Sequence, residues 1–478
     1  MPSADRDAPV VVCVDFGSTF TKASLVDLEL GQITAAAEHR TTIDTDVLDG
    51  YDACLAGLVE QDPRASGAQT LACSSAGGGL RIAVVGNEEL VTAEAGRRVA
   101  LSSGGKVVSV LSAGRGDDLS AVTASEPDVV LLTGGTDGGN PEPIAACARE
   151  LAEVWPGPVV VAGNADAQAD VAEILAGRPV ILAPNIVPQI GVLAPEGARV
   201  AIRELFLSHV IGGKHLSSRA DFLAMVRGAT PDVVLTGVEL LAEVGGDTVV
   251  VDVGGATTDV HSVVELDPDL RGGSSVSGAT GVILDRDVVA TTRVTRTVEG
   301  DLGMRWSAVT TAEAAARDDL VEAAERRRAD VGFVPVGDDE CDVDEAIARC
   351  AVSLALRRHA GRSKVVVSPE GRVVERSGKD LRQVDRLVGS GGVLRHGRPG
   401  VAERVFAGSV GDVAGGWQLP LRPAVTVDEH YVLAAVGLLS VDHRDAARRL
   451  VAGLADGPVG GKSGSSAQVR PVPRAPSQ

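Results

Sequence analysis

Aromatic side chains are scarce in this sequence, at 2% of its 478 residues. Apolar residues nevertheless make up 44%, which is enough for a sizeable core and excludes a disordered chain. The core must therefore be built mainly from Ala, Val and Leu. A chain of this length is typical of roughly two to four domains.

Basic residues are outnumbered, because 45 Lys and Arg stand against 65 Asp and Glu, for a net charge of −20. Duplex DNA and anionic membrane surfaces both require a basic footprint, so we expect no nucleic-acid partner and no membrane partner. A nucleotide is compatible with this charge, because backbone amides and a metal ion can hold its phosphates.

Cysteine pairs and long apolar runs are also missing. None of the six cysteines has the C-x-x-C spacing of a zinc ribbon or a redox dithiol. No continuous apolar run reaches the ~18 residues that a membrane-spanning helix needs, and residues 1–9 lack an apolar signal core. We therefore expect a reduced, cytoplasmic protein.

The first motif with chemical content is Asp15-Phe16-Gly17-Ser18-Thr19-Phe20-Thr21-Lys22. It joins two β-like runs, 10–15 and 21–27, and predicts a β-hairpin whose turn is at residues 17–19. A glycine turn lets backbone amides approach phosphate oxygens. The hydroxyls of Ser18 and Thr19 and the charge of Lys22 can assist, and Asp15 can orient Mg²⁺-bound water.

The same pattern returns in the middle of the chain, as Asp252-Val253-Gly254-Gly255-Ala256-Thr257-Thr258-Asp259 after an apolar run. Two copies of one pattern predict a duplicated architecture. A third glycine turn, Gly389-Ser390-Gly391-Gly392, follows the apolar pair Leu387-Val388 and can approach a nucleotide base closely.

These three motifs, in this order, resemble the actin, Hsp70 and sugar-kinase ATPase superfamily. The resemblance implies an α/β fold of two duplicated ribonuclease H-like lobes. Two hairpins would clamp Mg²⁺ and the phosphates of ATP, and the third turn would hold the adenosine. The residues then expected to contact ATP are Gly17, Ser18, Thr19, Lys22, Gly254, Gly255, Thr257, Thr258, Gly389, Ser390, Gly391 and Gly392.

The superfamily also implies catalytic carboxylates. Asp15 and Asp252 are the candidates for catalysis and for the metal site. An acidic residue is expected on a helix just ahead of the second hairpin, and Glu239 is the best candidate for it. The alternative for Glu239 is a solvated or helix-capping carboxylate.

The organisation of the chain follows from its apolar runs. Between residues 128 and 188 short apolar runs alternate with helical segments, which predicts a βαβαβ region. The predicted domains are a first lobe over 9–245 with an insertion at about 67–197, a second lobe over 246–395, a C-terminal helical region over 396–455 that returns to the core, and a disordered tail over 456–478. Two further helices are predicted over 312–331 and 342–358.

Two other glycine-rich stretches receive a structural interpretation. Residues 133–140 lie between a strand and a helix, where an anion could sit, but they lack a Rossmann or Walker signature. Residues 71–80 place Cys73 at a strand end with no nearby histidine, which favours a buried small side chain over a reactive thiol.

Longer stretches point to one family within the superfamily, namely 72–80, 132–140, 298–305 and 377–381. With the hairpins, they resemble the glutamate mutase accessory family of the MutL or GlmL type, which is unrelated to the mismatch-repair protein of the same name. The resemblance spans about residues 10–450. It implies a chaperone-like, reactivating ATPase whose partners are the subunits of an adenosylcobalamin-dependent mutase, with the inserted region as a partner-facing arm.

Three other functions share these motifs. One is a small-molecule kinase, although no separate substrate motif stands out. Another is a nucleotide-binding scaffold without turnover. The third is an iron–sulfur dehydratase activator, which would need cluster cysteines and is disfavoured because Cys341 and Cys350 lie on or near a helix. Which mutase is served, and whether the chain self-associates, stays open.

Overall fold

The computed structural model describes residues 9–113, 116–265, 276–278, 281–285, 291–368, 371–412 and 414–455. The predicted disordered tail, 456–478, lies outside the described residues.

The strands of the described chain are β1 (Val10–Phe16), β2 (Phe20–Asp27), β3 (Gln32–Arg40), β4 (Gln69–Ser74), β5 (Leu80–Gly86), β6 (Gly105–Ser112), β7 (Val129–Leu132), β8 (Val159–Val161), β9 (Val180–Leu182), β10 (Val226–Ala229), β11 (Thr248–Val253), β12 (Thr258–Val263), β13 (Val276–Gly278), β14 (Gly281–Asp285), β15 (Val294–Glu299), β16 (Arg362–Ser368), β17 (Gly371–Ser377), β18 (Arg386–Ser390) and β19 (Ala424–Val427).

The α-helices are α1 (Val47–Gln61), α2 (Glu94–Ser102), α3 (Ser120–Ala124), α4 (Glu142–Val154), α5 (Gln168–Ile174), α6 (Glu196–Leu205), α7 (Ile211–Gly213), α8 (Ala220–Met225), α9 (Thr230–Gly245), α10 (Ala308–Ala314), α11 (Asp318–Ala329), α12 (Asp338–His359), α13 (Gly392–Arg395), α14 (Val401–Phe406), α15 (Val432–Leu439) and α16 (Arg444–Ala455).

The chain divides into two compact units. The first comprises Met1–Arg81, Ile202–Val244 and Val432–Gln478, and the second comprises Ile82–Ala201 and Gly245–Tyr431. Most of the predicted insertion therefore groups with the second unit in this division. The domain boundaries proposed from sequence stay predictions.

The first unit contains a sheet in the order β10-β4-β1-β2-β3. β1, β2 and β3 run antiparallel to one another in turn, whereas β4 is parallel to β1 and β10 is parallel to β4. The apolar run Val11–Val14 of β1 is buried, as expected for a central strand that is covered on both faces. The predicted first hairpin is confirmed.

The second unit repeats this topology in the sheet β19-β18-β11-β12-β15. β11, β12 and β15 are antiparallel in turn, and β18 and β19 are parallel additions beside β11. Each sheet thus has the order 5-4-1-2-3 when its strands are counted along the chain. This shared order confirms the duplicated, ribonuclease H-like α/β architecture.

The second unit also contains the predicted βαβαβ region. Its sheet has the order β6-β5-β7-β8-β9, and β5, β7, β8 and β9 are mutually parallel. Helices α4 and α5 connect β7 to β8 and β8 to β9. Counted along the chain, the order is 2-1-3-4-5, which is a doubly wound arrangement. We call residues 82–201, which contain this sheet apart from the first two residues of β5, the inserted layer.

The cores consist mainly of small aliphatic side chains, as the composition predicts. Under the second sheet, α12 packs residues such as Ile347 and Ala351 against the valines of β11. In the first unit, helices α9 and α15 cross at Gly237 and Gly437. A Cβ atom on either glycine would overlap a backbone carbonyl of the other helix, so the close crossing requires glycine.

The helix predicted over 312–331 is wrong in part, because the chain breaks it into α10 and α11. Ala316 adopts a positive φ of 52°. The N–H groups of Ala316 and Arg317 donate to the carbonyls of Glu313 and Ala312, at 2.9 Å each, which is the pattern of a Schellman cap. Alanine occupies the position that glycine usually marks, so the sequence does not reveal this end. The helix predicted over 342–358 is confirmed as α12.

Candidate functional site

The first candidate carboxylate, Asp15, lies at the end of β1 and is only 6% exposed. Its Oδ1 accepts a hydrogen bond of 2.6 Å from the Thr230 hydroxyl and a weaker one, at 3.7 Å, from the Cys73 thiol. Lys22 lies directly opposite on β2. Burial and the nearby Asp15 charge raise the pKa of Cys73 well above its ordinary value, which supports the buried-thiol interpretation.

The first glycine turn is held from one side by Thr41, which follows β3. The Thr41 hydroxyl donates to the Gly17 carbonyl at 2.7 Å, and its N–H donates to the Thr19 carbonyl at 3.0 Å. Within the turn, the Gly17 N–H donates to the Phe20 carbonyl at 3.1 Å, and a Cβ on Gly17 would lie 2.6 Å from that oxygen. A trans peptide points its C=O and N–H in opposite directions, so the N–H of Ser18 points away from Thr41.

The second glycine turn is held in the same way by residues that follow β15. The carbonyls of Gly254 and Gly255 accept from the N–H groups of Met304 and Arg305, at 2.9 and 2.8 Å. The Ala256 carbonyl accepts from the Ser307 hydroxyl at 2.6 Å. We call residues 302–307 the turn clamp. By the same peptide geometry, the N–H groups of residues 255, 256 and 257 all point away from the clamp.

Three successive amides that point to one side form a concavity that favours anions. The turn clamp also explains the family-like stretch 298–305, whose role the sequence did not reveal. Thr258, predicted to contact ATP, is buried, and its hydroxyl donates to the Leu302 carbonyl of the clamp at 3.1 Å. Its predicted nucleotide contact stays a prediction.

The second carboxylate, Asp252, lies directly across the hairpin from Asp259. Like charges at such a position repel each other. Asp259 Oδ2 forms an ion pair of 3.3 Å with Arg296, whereas Asp259 Oδ1 is buried and has no hydrogen-bond partner in the part of the chain that the structure describes. Two facing carboxylates with such an oxygen fit a hydrated cation, and Mg²⁺ often uses only one or two carboxylates in addition to phosphate and water.

The third turn lies beside the second, because Ser390 is the parallel neighbour of Asp252. Gly391 has a φ of +99°, and a Cβ there would overlap the Val253 carbonyl. A Cβ on Gly389 would lie 2.7 Å from a methyl of Leu394. The backbone and the packing therefore account for these two glycines. Gly392 is exposed at the start of α13, and a Cβ on it would meet nothing within 4 Å. Packing therefore does not account for this glycine, and its contact with adenosine stays a prediction.

Glu239 is on α9, the helix that leads to the second hairpin, as predicted. That helix begins at Thr230, so Glu239 lies nine residues, or about 13 Å of helix rise, beyond the residue that contacts Asp15. The structure does not bring Glu239 to Asp15, and its catalytic role stays a prediction. Thr230 was missed from the sequence, although Thr-Pro-Asp at 230–232 is a recognisable helix start.

The glycine-rich loop 133–140 is closed by side chains of its own layer. Asp166 accepts from the Gly138 N–H at 2.7 Å. Asp137 accepts from the Ala165 N–H at 2.9 Å and from the Asn185 side chain at 2.8 Å. The Asp166 carboxylate thus occupies a loop amide that an anion would otherwise use, which supports the structural interpretation of this loop.

The stretch 377–381 places a lysine in the core of the second unit. Lys379 Nζ donates to the Ser262 hydroxyl at 3.2 Å and to the Arg293 carbonyl at 2.9 Å. Ser262 also bonds His359 at 2.7 Å. Burial lowers the pKa of Lys379 from 10.5 to about 7 and that of His359 from 6.5 to about 3.

Among the described residues, no cluster of three or more His, Cys, Asp or Glu side chains could hold a metal ion. Nor is any helix of the described chain long and apolar enough to cross a membrane.

Comparisons with known proteins agree on one family. Residues 11–453 match the family model described as MutL protein. Protein MutL of Clostridium tetanomorphum is 38% identical over 463 residues, which cover 92% of this chain and 97% of that protein.

Solved structures resemble the chain more distantly. The diol dehydratase-reactivating factor in nucleotide-free form is 11% identical with a TM-score of 0.34, over 91% of this chain and 100% of that one. The ethanolamine utilization protein EutJ from Carboxydothermus hydrogenoformans is 12% identical with a TM-score of 0.28, over 93% and 90%. Xylulose kinase from Bifidobacterium adolescentis is 13% identical with a TM-score of 0.29, over 95% and 94%.

Proposed function

The chain belongs to the MutL protein family, and from this premise we propose that it is a Mg²⁺-dependent ATPase that reactivates an adenosylcobalamin-dependent mutase such as glutamate mutase. The accessory role and the mutase partner follow from the resemblance to the glutamate mutase accessory family. The nucleotide chemistry is argued from the site itself.

The observation that carries the nucleotide proposal is the matched construction of the two glycine turns. Each follows a buried strand that ends in Asp-x-Gly, and each is clamped through its carbonyls by residues after the third strand of its sheet. Clamping of this kind fixes the turn before any ligand arrives, so amides aimed at phosphate need little reorganisation. A turn that served only to reverse the chain would not need its carbonyls held twice over.

The carboxylates have distinct tasks in this proposal. Thr230 and Cys73 donate to Oδ1 of Asp15 and fix the orientation of its carboxylate, so that it can orient the attacking water. Asp252 and Asp259 would hold the waters around Mg²⁺. When bound, that ion would neutralise charge that develops on the transferred phosphoryl group.

A reactivating role needs the nucleotide to change how the protein meets its partner. A ligand that binds two conformations equally shifts neither, so ATP and ADP must favour different states. The inserted layer is the proposed partner-facing arm, because it is additional to the two duplicated sheets.

Calorimetry and a steady-state ATPase assay test the nucleotide part of the proposal. Wild-type protein should bind Mg-ATP in the calorimeter, and Asp252→Asn should lower ATP turnover by about 100-fold or more while the protein stays folded. Asp319→Asn is the matched control, because Asp319 is an exposed carboxylate paired with Arg317, and it should behave as wild type. A folded wild-type protein that shows no heat of nucleotide binding would sink the proposal.

A reactivation assay tests the partner. A cognate mutase inactivated with cyanocobalamin is incubated with this protein and Mg-ATP, and free adenosylcobalamin is then supplied. Recovery of activity that needs ATP and fails with Asp252→Asn supports the role. If no mutase binds or recovers while a small hydroxylated metabolite becomes phosphorylated, the kinase function replaces it.

A further inference from the structure

One face of the second sheet meets the inserted layer and carries polar side chains beside the buried Val250 and Val263. Side chains alternate along a strand, and Val249, Val251 and Val260 pack into the core that contains α12. Asp259 and His261 therefore occupy the opposite face of β12. There, the last turn of α2 and the start of β6 approach β15 through Arg296.

Arg296 joins three elements with one guanidinium group. It is 5% exposed. Its Nη1 donates to the carbonyls of Leu101 and Gly105, at 3.0 and 3.3 Å, and its Nη2 contacts Asp259 Oδ2 at 3.3 Å. The same residue thus holds the inserted layer and the carboxylate that faces Asp252.

This junction is incompletely paired. Asp259 Oδ1, His261 Nδ1 and Arg296 Nε are all buried without a hydrogen-bond partner among the described residues. Buried polar groups without partners disfavour the closed arrangement, so water that entered on opening would satisfy them.

A cation at the second turn would compete with Arg296. Without one, the Arg296 charge offsets the repulsion between the facing carboxylates of Asp252 and Asp259. A divalent ion held by those carboxylates would offset the same repulsion more strongly. The 3.3 Å ion pair between Arg296 and Asp259 would then contribute much less to stabilising the Asp259 carboxylate.

We propose that Arg296 is a positioning residue that couples occupancy of the second glycine turn to the docking of the inserted layer. With the turn empty, Arg296 holds Asp259 and the α2–β6 connection together. When Mg-nucleotide occupies the turn, the pair weakens and the α2–β6 connection loosens. Linkage makes the effect reciprocal, so a partner that loosens the inserted layer strengthens nucleotide binding. The identity of the occupant rests on the proposed function, whereas the link between Asp259 and the inserted layer does not.

Hydrogen exchange of residues 94–112, measured in the full chain, tests the coupling. Without nucleotide, Arg296→Gln and Asp259→Asn should each speed exchange there by roughly fivefold or more, and Arg296→Lys should restore part of the protection. Arg149→Gln is the matched control, since it removes an exposed ion pair with Glu142 elsewhere in the inserted layer. It should leave exchange over 94–112 unchanged.

The nucleotide arm adds Mg-ATP. Exchange over 94–112 should rise in the wild type and stay constant in Arg296→Gln, and that variant should need several-fold less Mg²⁺ for half-saturation. The coupling is overturned if the exchange rate of residues 94–112 is unchanged in nucleotide-free Asp259→Asn. It is also overturned if that rate responds equally to Mg-ATP in the wild type and in Arg296→Gln. If the wild type binds no nucleotide, the proposed function fails, and the nucleotide-free arms still decide the coupling. If Arg296→Gln does not fold, the nearly isosteric Asp259→Asn decides it.

Discussion

Two adjacent glycines should respond in opposite ways to substitution. Gly391 has a φ of +99° and a missing Cβ that would overlap the Val253 carbonyl, whereas the space at Gly392 is open to 4 Å. A side chain at Gly391 therefore strains the backbone and displaces the second turn. A side chain at Gly392 enters only the space proposed for the adenosine.

The magnitudes follow from these two environments. For Gly391→Ala, the backbone at φ +99° and ψ 160°, which is essentially restricted to glycine, costs about 1–3 kcal/mol. The overlap costs about 1–3 kcal/mol more, so the free energy of unfolding should fall by roughly 2–6 kcal/mol. Gly392→Ala places a methyl group at the first residue of α13 without a clash. Because it removes the flexibility of glycine in the unfolded chain, it should raise the free energy of unfolding by up to about 1 kcal/mol. Gly392→Val should leave stability within about 0.5 kcal/mol and weaken ATP binding by about tenfold or more, because a branched side chain would fill the space of the base.

Urea denaturation and calorimetry with Mg-ATP on the three variants measure both quantities. Gly392→Ala serves as the control for Gly392→Val, since its single methyl group intrudes least. If Gly392→Val binds ATP as tightly as the parent, the adenosine does not lie at this turn. If Gly391→Ala is as stable as the wild type, the close approach of Gly391 to Val253 is wrong.

Three further perturbations follow from single contacts. Thr230→Val removes the donor to Asp15 and should lower ATP turnover by about tenfold, with a stability loss near 1 kcal/mol; unchanged turnover in a steady-state assay would contradict the positioning of Asp15. Ser307→Ala frees the Ala256 carbonyl and should weaken ATP binding by roughly two- to tenfold, and equal calorimetric affinity would show that the turn clamp does not preorganise the amides. The pKa of Lys379 is about 7 in the folded protein, against 10.5 in the unfolded chain. Burial of the charged lysine therefore lowers the free energy of unfolding by about 5 kcal/mol below pH 7, and this loss disappears as the pH rises toward 10.5. Lys379→Met should therefore gain stability over the wild type at pH 6.5 and lose that advantage by pH 10, and denaturation curves whose difference is independent of pH would refute the buried-lysine assignment.

Local pattern was enough to identify the turns and the elements around them. A buried apolar strand, an Asp-x-Gly and a hydroxyl determine a hairpin within a dozen residues, because strand burial and turn geometry are both local requirements. The repeat of that pattern at Asp15 and Asp252 predicted the duplication, and the alternation of apolar runs predicted the βαβαβ region.

Only the tertiary structure decided which distant residues support the turns. Thr230 reaches Asp15 from 215 positions away, because β10 joins the same sheet beyond β4, and no local signal encodes that strand order. Thr41 and the turn clamp act partly through backbone N–H groups that every residue carries. The Thr41 and Ser307 hydroxyls that assist them belong to common side chains with no distinctive local pattern, so the sequence did not mark them. Arg296 is one of many arginines in the sequence, and it gains its role because strand pairing and the packing of α2 place Asp259 and two carbonyls around it. Composition and spacing therefore determined most of the elements and the positions of the glycine turns. Long-range packing determined what holds those turns, because its partners are far apart along the chain.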